Sequence, residues 1–225
     1  MECLELCGRF TLSTDSDELR ICFNLEENFD YTPQYNIAPG ADVPVIVNNS
    51  GGRKVSLMRW GLVPHWAKDK KIGYKMINAR AETVEQKPAF RDAFLRRRCL
   101  VPADGFFEWR KAGGKKYPMY INLPGKSLFA FAGIWDSWTA PDGIIINSCS
   151  IITTPANAFM SNIHVRMPAI LAGEREYKVW LEADHVMAKE LLQPYEGILT
   201  AYNVSTIVNS PGVNSPLCVE KIDQI

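Results

Sequence analysis

The sequence has few histidines and no paired-cysteine motif. Its 225 residues contain three histidines and six cysteines, and no CxxC pair occurs among the thiols. Because a disulfide framework or a structural zinc site requires clustered thiols or Cys/His pairs, neither is expected, and no metal or cofactor is implied. Most of the cysteines are expected to be reduced core residues.

Long hydrophobic runs and an excess of charge of one sign are also missing. No window of about 18 apolar residues could cross a membrane, and the opening stretch MECLELCGRF has neither the positive nor the apolar region of a signal peptide. Lys plus Arg (25) balance Asp plus Glu (25), which argues against broad, charge-driven binding of nucleic acid. The expectation is a cytoplasmic protein without a membrane partner.

Short β-rich runs separated by Gly, Pro, Asn and Asp dominate the chain, and four segments carry helical periodicity. The predicted strands are Val43–Val47, Val55–Arg59, Met76–Arg80, Leu100–Ala103, Phe106–Arg110, Met119–Asn122, Leu128–Ile134 and Ile144–Ile152. The predicted helices are Asp15–Phe23 with Thr14 as its cap, Lys87–Arg97, Glu174–Leu181 and His185–Leu192. The short connections favour a single α+β domain with a mixed or barrel-like sheet.

The stretch INARAET is expected to be a strand with one polar face. Alternation places Asn78, Arg80 and Glu82 on one side, opposite Ile77 and Ala79. One interpretation is an ordinary half-solvated strand. The other is that the arginine holds a phosphate beside a reaction centre.

Glu108 and His164 are the candidate acid/base residues. In DGFFEWRK, Glu108 has large aromatic residues as sequence neighbours; it is either a surface carboxylate or a desolvated one whose pKa suits proton transfer. His164 in SNIHVRMP is a structural or a catalytic histidine. The catalytic interpretation requires that Cys7, Asn78 and Glu108 converge on it.

Eight motifs in order resemble a known family. They are CGRF, YNIAPG, RWGLVPHW, INARAET, PADGFFEW, TTPAN, HVRMP and NVSTIVN. The set is similar to the SRAP family, the SOS-response-associated peptidases that also crosslink abasic sites in DNA. The resemblance covers the chain from Cys7 to about Cys218 and implies a single α+β domain, residues 7–225, with a barrel-like mixed β core and a few peripheral helices.

The resemblance implies a covalent DNA-damage activity centred on Cys7. A terminal cysteine carries an amine and a thiol, which can condense with the aldehyde of an abasic site to form a thiazolidine. Asn78 would orient the sugar or the amine, Glu108 would move protons, and His164 would assist opening of the sugar ring. The implied activities are abasic-site crosslinking of a lyase type and cysteine-type self-cleavage, without a cofactor.

The implied partner is single-stranded DNA that contains abasic sites. Pro64 and Trp66 resemble a wedge that stacks on an exposed base, although Ala67 stands where some relatives carry a second tryptophan. The protein would be a monomer, associated with the nucleoid when it acts on DNA. The DNA-binding set implied by the motifs is Arg9, Asn36, Pro64, Trp66, Arg80, Thr153 and Arg166.

Residues 1–6 depart from this pattern, because with them attached the Cys7 nitrogen is a planar amide that cannot form the crosslink. We expect this extension to be absent or removed in the mature protein, either because translation starts at the Leu6 codon and the methionine is trimmed, or because the protein removes the segment itself. The alternative is that the extension persists and the protein is inactive.

Two rival functions remain open at this stage. A cysteine peptidase acting on other proteins would use Cys7 as nucleophile and His164 as base. A non-catalytic domain that binds single-stranded DNA would need Arg80, Arg166 and Trp66 but not Cys7.

Overall fold

The structure, a computed structural model, describes residues 7–27, 29–49, 52–125 and 128–223. The extension 1–6 lies outside the described residues, so its removal stays a prediction. The strands are β1 (Arg9–Leu12), β2 (Gln34–Ile37), β3 (Asp42–Asn49), β4 (Gly52–Trp60), β5 (Asn78–Arg80), β6 (Arg98–Ala103), β7 (Gly105–Ala112), β8 (Lys115–Asn122), β9 (Phe129–Thr139), β10 (Ile145–Pro155), β11 (Arg166–Pro168), β12 (Ile170–Leu171) and β13 (Thr200–Asn203).

Helices are short and few among the described residues. The α-helices are α1 (Ser16–Cys22), α2 (Arg91–Arg96), α3 (Glu174–Glu182) and α4 (His185–Glu190). Short 3₁₀ segments cover Lys70–Lys75, Met160–Asn162, Thr206–Asn209 and Pro216–Cys218. No helix within this part of the chain is long and apolar enough to cross a membrane.

Five strands close into a barrel. The order β10-β4-β3-β6-β9 returns to β10, because β9 also pairs with β10 over Ile145–Ile151. The β10–β4 pair is parallel and the other pairs of the ring are antiparallel, so the barrel is mixed. Closure pairs the backbone groups that an open sheet would leave at its edges. The predicted α+β domain with a barrel-like mixed core is confirmed.

A second sheet, in the order β13-β8-β7-β1-β2, packs against this barrel. Phe10 on β1 joins the two, since its ring meets those of Trp60 on β4 and Phe131 on β9 edge-on, with centroids 5.1 and 5.7 Å apart. Such aromatic pairs add about 0.5–1.5 kcal/mol each beyond the area they bury. The amino-terminal strand is therefore anchored on the barrel, and Cys7 is anchored with it.

The predicted strands all form, whereas two helix starts were wrong. Asp15, not Thr14, caps α1: its Oδ1 accepts from the Glu18 backbone N–H at 2.9 Å, while the Thr14 N–H donates to Asp104 at 3.1 Å. The helix predicted from Lys87 begins only at Arg91. Pro88 explains this, because a proline disfavours helical backbone at the residue before it.

Candidate active site and nucleic-acid surface

Cys7 and Glu108 meet at the centre of the candidate site. The Cys7 backbone nitrogen donates to Glu108 Oε1 at 2.9 Å, and both residues are almost fully buried. The antiparallel ladder of β1 with β7 pairs Arg9 with Phe107. This register carries the residues just before β1 towards Glu108.

Glu108 is a buried carboxylate and not a surface one. It is 2% exposed, and its neighbour Phe106 packs into the main core while Phe107 packs into a second cluster with Tyr120. β7 is thus covered on both faces. The interpretation of a surface glutamate is wrong, because Glu108 lies on the same face of β7 as Phe106, and that face packs towards the barrel core.

Asn78 and His164 complete a cluster around Cys7. Asn78 Nδ2 donates to the Cys7 carbonyl oxygen at 3.4 Å, and Nδ1 of His164 lies 4.0 Å from Glu108 Oε1. β5 places the asparagine by pairing with β10, and the 3₁₀ segment Met160–Asn162 places the histidine. Glu108 therefore lies next to both Cys7 and His164, while Asn78 contacts Cys7; a catalytic role for His164 stays a prediction.

Electrostatics keeps both the thiol and the imidazole neutral. Burial, and after it the charge of Glu108, raises the pKa of the Cys7 thiol well above its usual range. Burial also lowers the pKa of His164, although a hydrogen bond with the backbone of Arg166 opposes this. A neutral imidazole can accept a proton at neutral pH, so the site holds a proton donor and a proton acceptor close together.

The backbone of Cys7 is strained. Its φ of 21° lies on the left-handed side, which residues with a Cβ rarely adopt. Such conformations cost about 1–3 kcal/mol and persist where the surroundings impose them. Here the hydrogen bonds to Glu108 and from Asn78 hold the residue on both sides of its Cα.

Arg80 and Arg166 lie close to this cluster. Arg80 is exposed at the end of β5. Arg166 is mostly buried, and its Nη2 donates to the Thr153 carbonyl at 2.6 Å and to the Thr153 hydroxyl at 3.1 Å. Its guanidinium also binds Glu82 through both nitrogens, with Nη2 to Oε2 at 3.0 Å.

Asn36 and Thr153, two residues of the predicted DNA-binding set, are buried. Thr153 is fully buried and holds Arg166, while Asn36 is 5% exposed and its Oδ1 accepts from Arg9 at 2.8 Å. Arg9 also donates to the carbonyls of Val208 and Asn209. Each of the two polar residues therefore holds an arginine of the predicted DNA-binding set, and their own contact with DNA stays a prediction.

Trp66 stands out from a tight turn, and Pro64 does not. Trp66 is 51% exposed, whereas Pro64 is buried and its carbonyl accepts from the Ala67 N–H at 2.8 Å. The wedge predicted from both residues thus has a single exposed member. Pro64 serves as the buried base of the turn, because its carbonyl closes the turn that presents Trp66.

Asp136 is a residue that the sequence reasoning missed. It lies on β9 and is 4% exposed. Its Oδ2 accepts from the His65 backbone N–H at 2.9 Å and lies 3.1 Å from His65 Nδ1. Its Oδ1 lies 3.1 Å from Arg97 Nη2. Trp138, two residues further, donates to the Ala67 carbonyl at 2.6 Å. Asp136 and Trp138 therefore fix the turn of Trp66 from both ends. A lone carboxylate inside the apolar run FAFAGIWDSW was the available signal.

No group of three or more His, Cys, Asp or Glu side chains that could hold a metal ion occurs among the described residues. The side chains of the cluster are a thiol, a carboxylate, an imidazole and an amide.

Comparison with known proteins places this site in a family context. The sequence model of the SOS response associated peptidase (SRAP) family matches residues 6–211. The abasic site processing protein YoqW of Bacillus subtilis (strain 168) is 46% identical over 223 residues, covering 96% of this chain and 99% of that protein. The abasic site processing protein HMCES of Xenopus tropicalis is 34% identical over 225 residues, covering 85% of this chain and 67% of that protein.

A solved structure shares the fold. The crystal structure of a protein from Bacteroides thetaiotaomicron superposes with a TM-score of 0.86 at 30% identity, covering 96% of this chain and all of that one. The likeness therefore extends over both sheets and the strands that carry the site.

Proposed function

Since this chain belongs to the SRAP family, we propose that it processes abasic sites in single-stranded DNA by capturing them covalently through Cys7. One observation carries the proposal. The nitrogen of Cys7 lies 2.9 Å from a buried carboxylate, within the same cluster as a neutral histidine. This places the one atom that must become a nucleophilic amine next to groups that can move its protons.

The capture joins two atoms of Cys7 to one carbon of the sugar. The free amine adds to the C1′ aldehyde of the ring-opened deoxyribose, and loss of water gives an imine. The thiol then adds to the same carbon, and its proton passes to the nitrogen. The product is a five-membered thiazolidine, and one water molecule leaves for each crosslink formed.

Glu108 and His164 have distinct proton-transfer roles in this scheme. Glu108 faces the nitrogen directly, so it accepts the proton that an ammonium must lose before it can attack. His164 lies 4.0 Å from the same carboxylate oxygen and is neutral, so it can take the proton of the C1′ hydroxyl and return it to the ring oxygen O4′ as the C1′–O4′ bond breaks. Asn78 orients Cys7, because its side-chain amide donates to the backbone carbonyl oxygen of Cys7.

The same residues support removal of the preceding segment, for which the strained backbone of Cys7 is the supporting observation. The thiol attacks the carbonyl carbon before Cys7, the C–N bond breaks, and the nitrogen takes a proton, leaving a thioester. Water then hydrolyses the thioester to a carboxylate and a free thiol. Initiation at the Leu6 codon followed by trimming would reach the same mature terminus.

Groups around the cluster are suited to a flexible, unpaired strand. Arg80 and Arg166 would bind phosphates next to the lesion, and Trp66 would stack on a neighbouring base, which is worth about 1–3 kcal/mol per base. Stacking does not depend on base identity, and an abasic site has no base to read. Specificity therefore comes from the aldehyde and from strand flexibility.

A peptidase acting on other proteins is the second candidate, favoured by the description of the family. Acetylation of the mature amine separates the two activities, because it blocks the DNA adduct but leaves a Cys–His peptidase intact.

The direct test mixes protein that begins at Cys7 with a single-stranded oligonucleotide containing one abasic site. A slower band on a denaturing gel is expected, and it should be absent with an intact oligonucleotide. If the processed protein leaves the abasic oligonucleotide at its original position, the proposal is wrong.

A further inference from the structure

Glu82 binds the arginine that a DNA phosphate is expected to use. Both carboxylate oxygens of Glu82 face Arg166, with Nη1 on Oε1 and Nη2 on Oε2 at 3.0 Å. Arginine binds phosphate with the same two-pronged geometry. The carboxylate thus occupies the donors that would otherwise bind a phosphate.

The position of the pair shows which side of Arg166 is covered. Behind the guanidinium lies Thr153, fully buried, which accepts from Nη2. In front lies Glu82, whose side chain is 47% exposed against 12% for Arg166. An approaching strand therefore meets the carboxylate before it meets the guanidinium.

Glu82 keeps its negative charge under ordinary conditions. The hydrogen bond from Arg166 lowers the pKa of the Glu82 carboxyl below its usual range, partly offset by burial, and the charge of Arg80 lowers it further. One anion therefore acts on both arginines assigned to phosphate binding. The local positive field is weakened where an anionic strand would bind.

We propose that Glu82 is a specificity-determining residue that takes the place of a DNA phosphate on Arg166 and lowers the affinity for intact single strands. This inference rests on the proposed function. A phosphate must displace the carboxylate before it can bind, so intact DNA is held weakly and released. A strand with an abasic site is retained, because the covalent bond to Cys7 does not depend on that competition.

The proposal predicts a specific salt dependence. A phosphate that binds a free arginine releases counterions from single-stranded DNA, which contributes about 0.7 to the slope of log affinity against log salt. In this protein the phosphate displaces the Glu82 carboxylate from Arg166, and the freed carboxylate takes up a cation from solution. This uptake cancels the counterion release from the DNA. Removing the charge of Glu82 should therefore make the slope steeper, not only shift the affinity.

The test compares Glu82→Gln with Glu85→Gln. Glu85 lies three residues away in an ion pair with Lys189, so its substitution makes the same change in net charge at a site outside the cluster. The anisotropy of a labelled, undamaged single-stranded oligonucleotide is measured at several salt concentrations with full-length processed protein. Glu82→Gln should bind about two- to fivefold more tightly than Glu85→Gln, with a slope steeper by about 0.7.

A competition experiment measures how Glu82 affects the capture of abasic DNA. With excess undamaged strand present, Glu82→Gln should form less adduct on an abasic oligonucleotide than Glu85→Gln, because more of it is held on intact DNA. Equal affinity and equal slope in the two variants would overturn the inference. Weaker binding by Glu82→Gln would also overturn it, and would instead make Glu82 an orienting group for Arg166.

The failure of this inference can be distinguished from the failure of the proposed function. If the wild-type protein forms no adduct, the capture by Cys7 fails whatever the affinities are. If it forms the adduct but Glu82→Gln behaves like Glu85→Gln, only the role of Glu82 fails.

Discussion

Glu108 accepts a hydrogen bond from the backbone nitrogen of Cys7, 101 positions earlier in the chain, at 2.9 Å. The β1–β7 ladder and the burial of β7 between two clusters fix this contact. A carboxylate in such a place is held by its surroundings before any substrate arrives. Preorganised groups of this kind need little rearrangement during reaction.

Cys7→Ala separates the two nucleophiles of the terminus. The processed variant, which begins at the substituted position, keeps the amine but lacks the thiol, so it can form an imine but cannot close the ring. We expect no heat-stable adduct on a denaturing gel, and a trapped adduct when borohydride reduces the imine. A heat-stable adduct without reductant would contradict the thiazolidine.

Glu108→Gln should slow capture without removing the nucleophiles. The amide keeps the size and one acceptor of the carboxylate but cannot take a proton at neutral pH. We expect the rate of adduct formation to fall about a hundredfold, the lower end of the effect of a general base. Single-turnover gel kinetics measure this, and thermal unfolding checks that the variant folds. An unchanged rate would exclude Glu108 as the proton acceptor.

Thr153→Val tests whether a buried hydroxyl holds Arg166. The substitution removes the 3.1 Å contact between Oγ1 and Nη2 but keeps the backbone carbonyl contact at 2.6 Å. We expect affinity for single-stranded DNA to fall about threefold, since one hydrogen bond to a charged group is lost. Thr153→Ser keeps the hydroxyl and should restore the affinity. If both variants lose the same affinity, the packing of the Thr153 side chain, and not its hydroxyl, would hold Arg166.

Asp136→Asn should destabilise the fold and loosen the turn that carries Trp66. The buried carboxylate accepts from His65 and faces Arg97 at 3.1 Å, and an amide leaves that arginine without its charge partner. We expect the free energy of unfolding to fall by about 2 kcal/mol, measured by urea denaturation. His65→Ala, which removes an exposed ring, is the control and should cost much less.

Acid should destabilise the protein partly through His164. Burial holds its folded pKa below the ordinary value of 6.5. The contribution of the neutral ring to folding is complete above about pH 6.5 and is lost as the pH falls from there through the folded pKa. Urea unfolding at about pH 7.5 and about pH 5.5 should show a smaller acid loss for His164→Gln than for wild type. His185→Gln, at an exposed site on α4, is the matched substitution for comparison.

The alternation of apolar and polar residues predicted the faces of the strands well where one face is solvated. Alternation in INARAET placed Ala79 in the core and Arg80 in solvent, as found. Alternation could not place Glu108, because it does not say whether the second face of a strand is covered. Glu108 shares its face of β7 with Phe106, and that face is covered by the barrel, where the Phe106 ring meets Phe131 of β9.

The sequence by itself indicated eight of the strands, the family and the candidate active side chains, but not β1, which carries the chain from Cys7. Only the tertiary structure decided that Asn36, Pro64 and Thr153 are buried, that Asp136 fixes the turn of Trp66, and that Glu82 covers Arg166. The physical reason is range. Strand periodicity depends on neighbours one or two positions apart, whereas burial and ion pairing depend on strands that meet from distant parts of the chain.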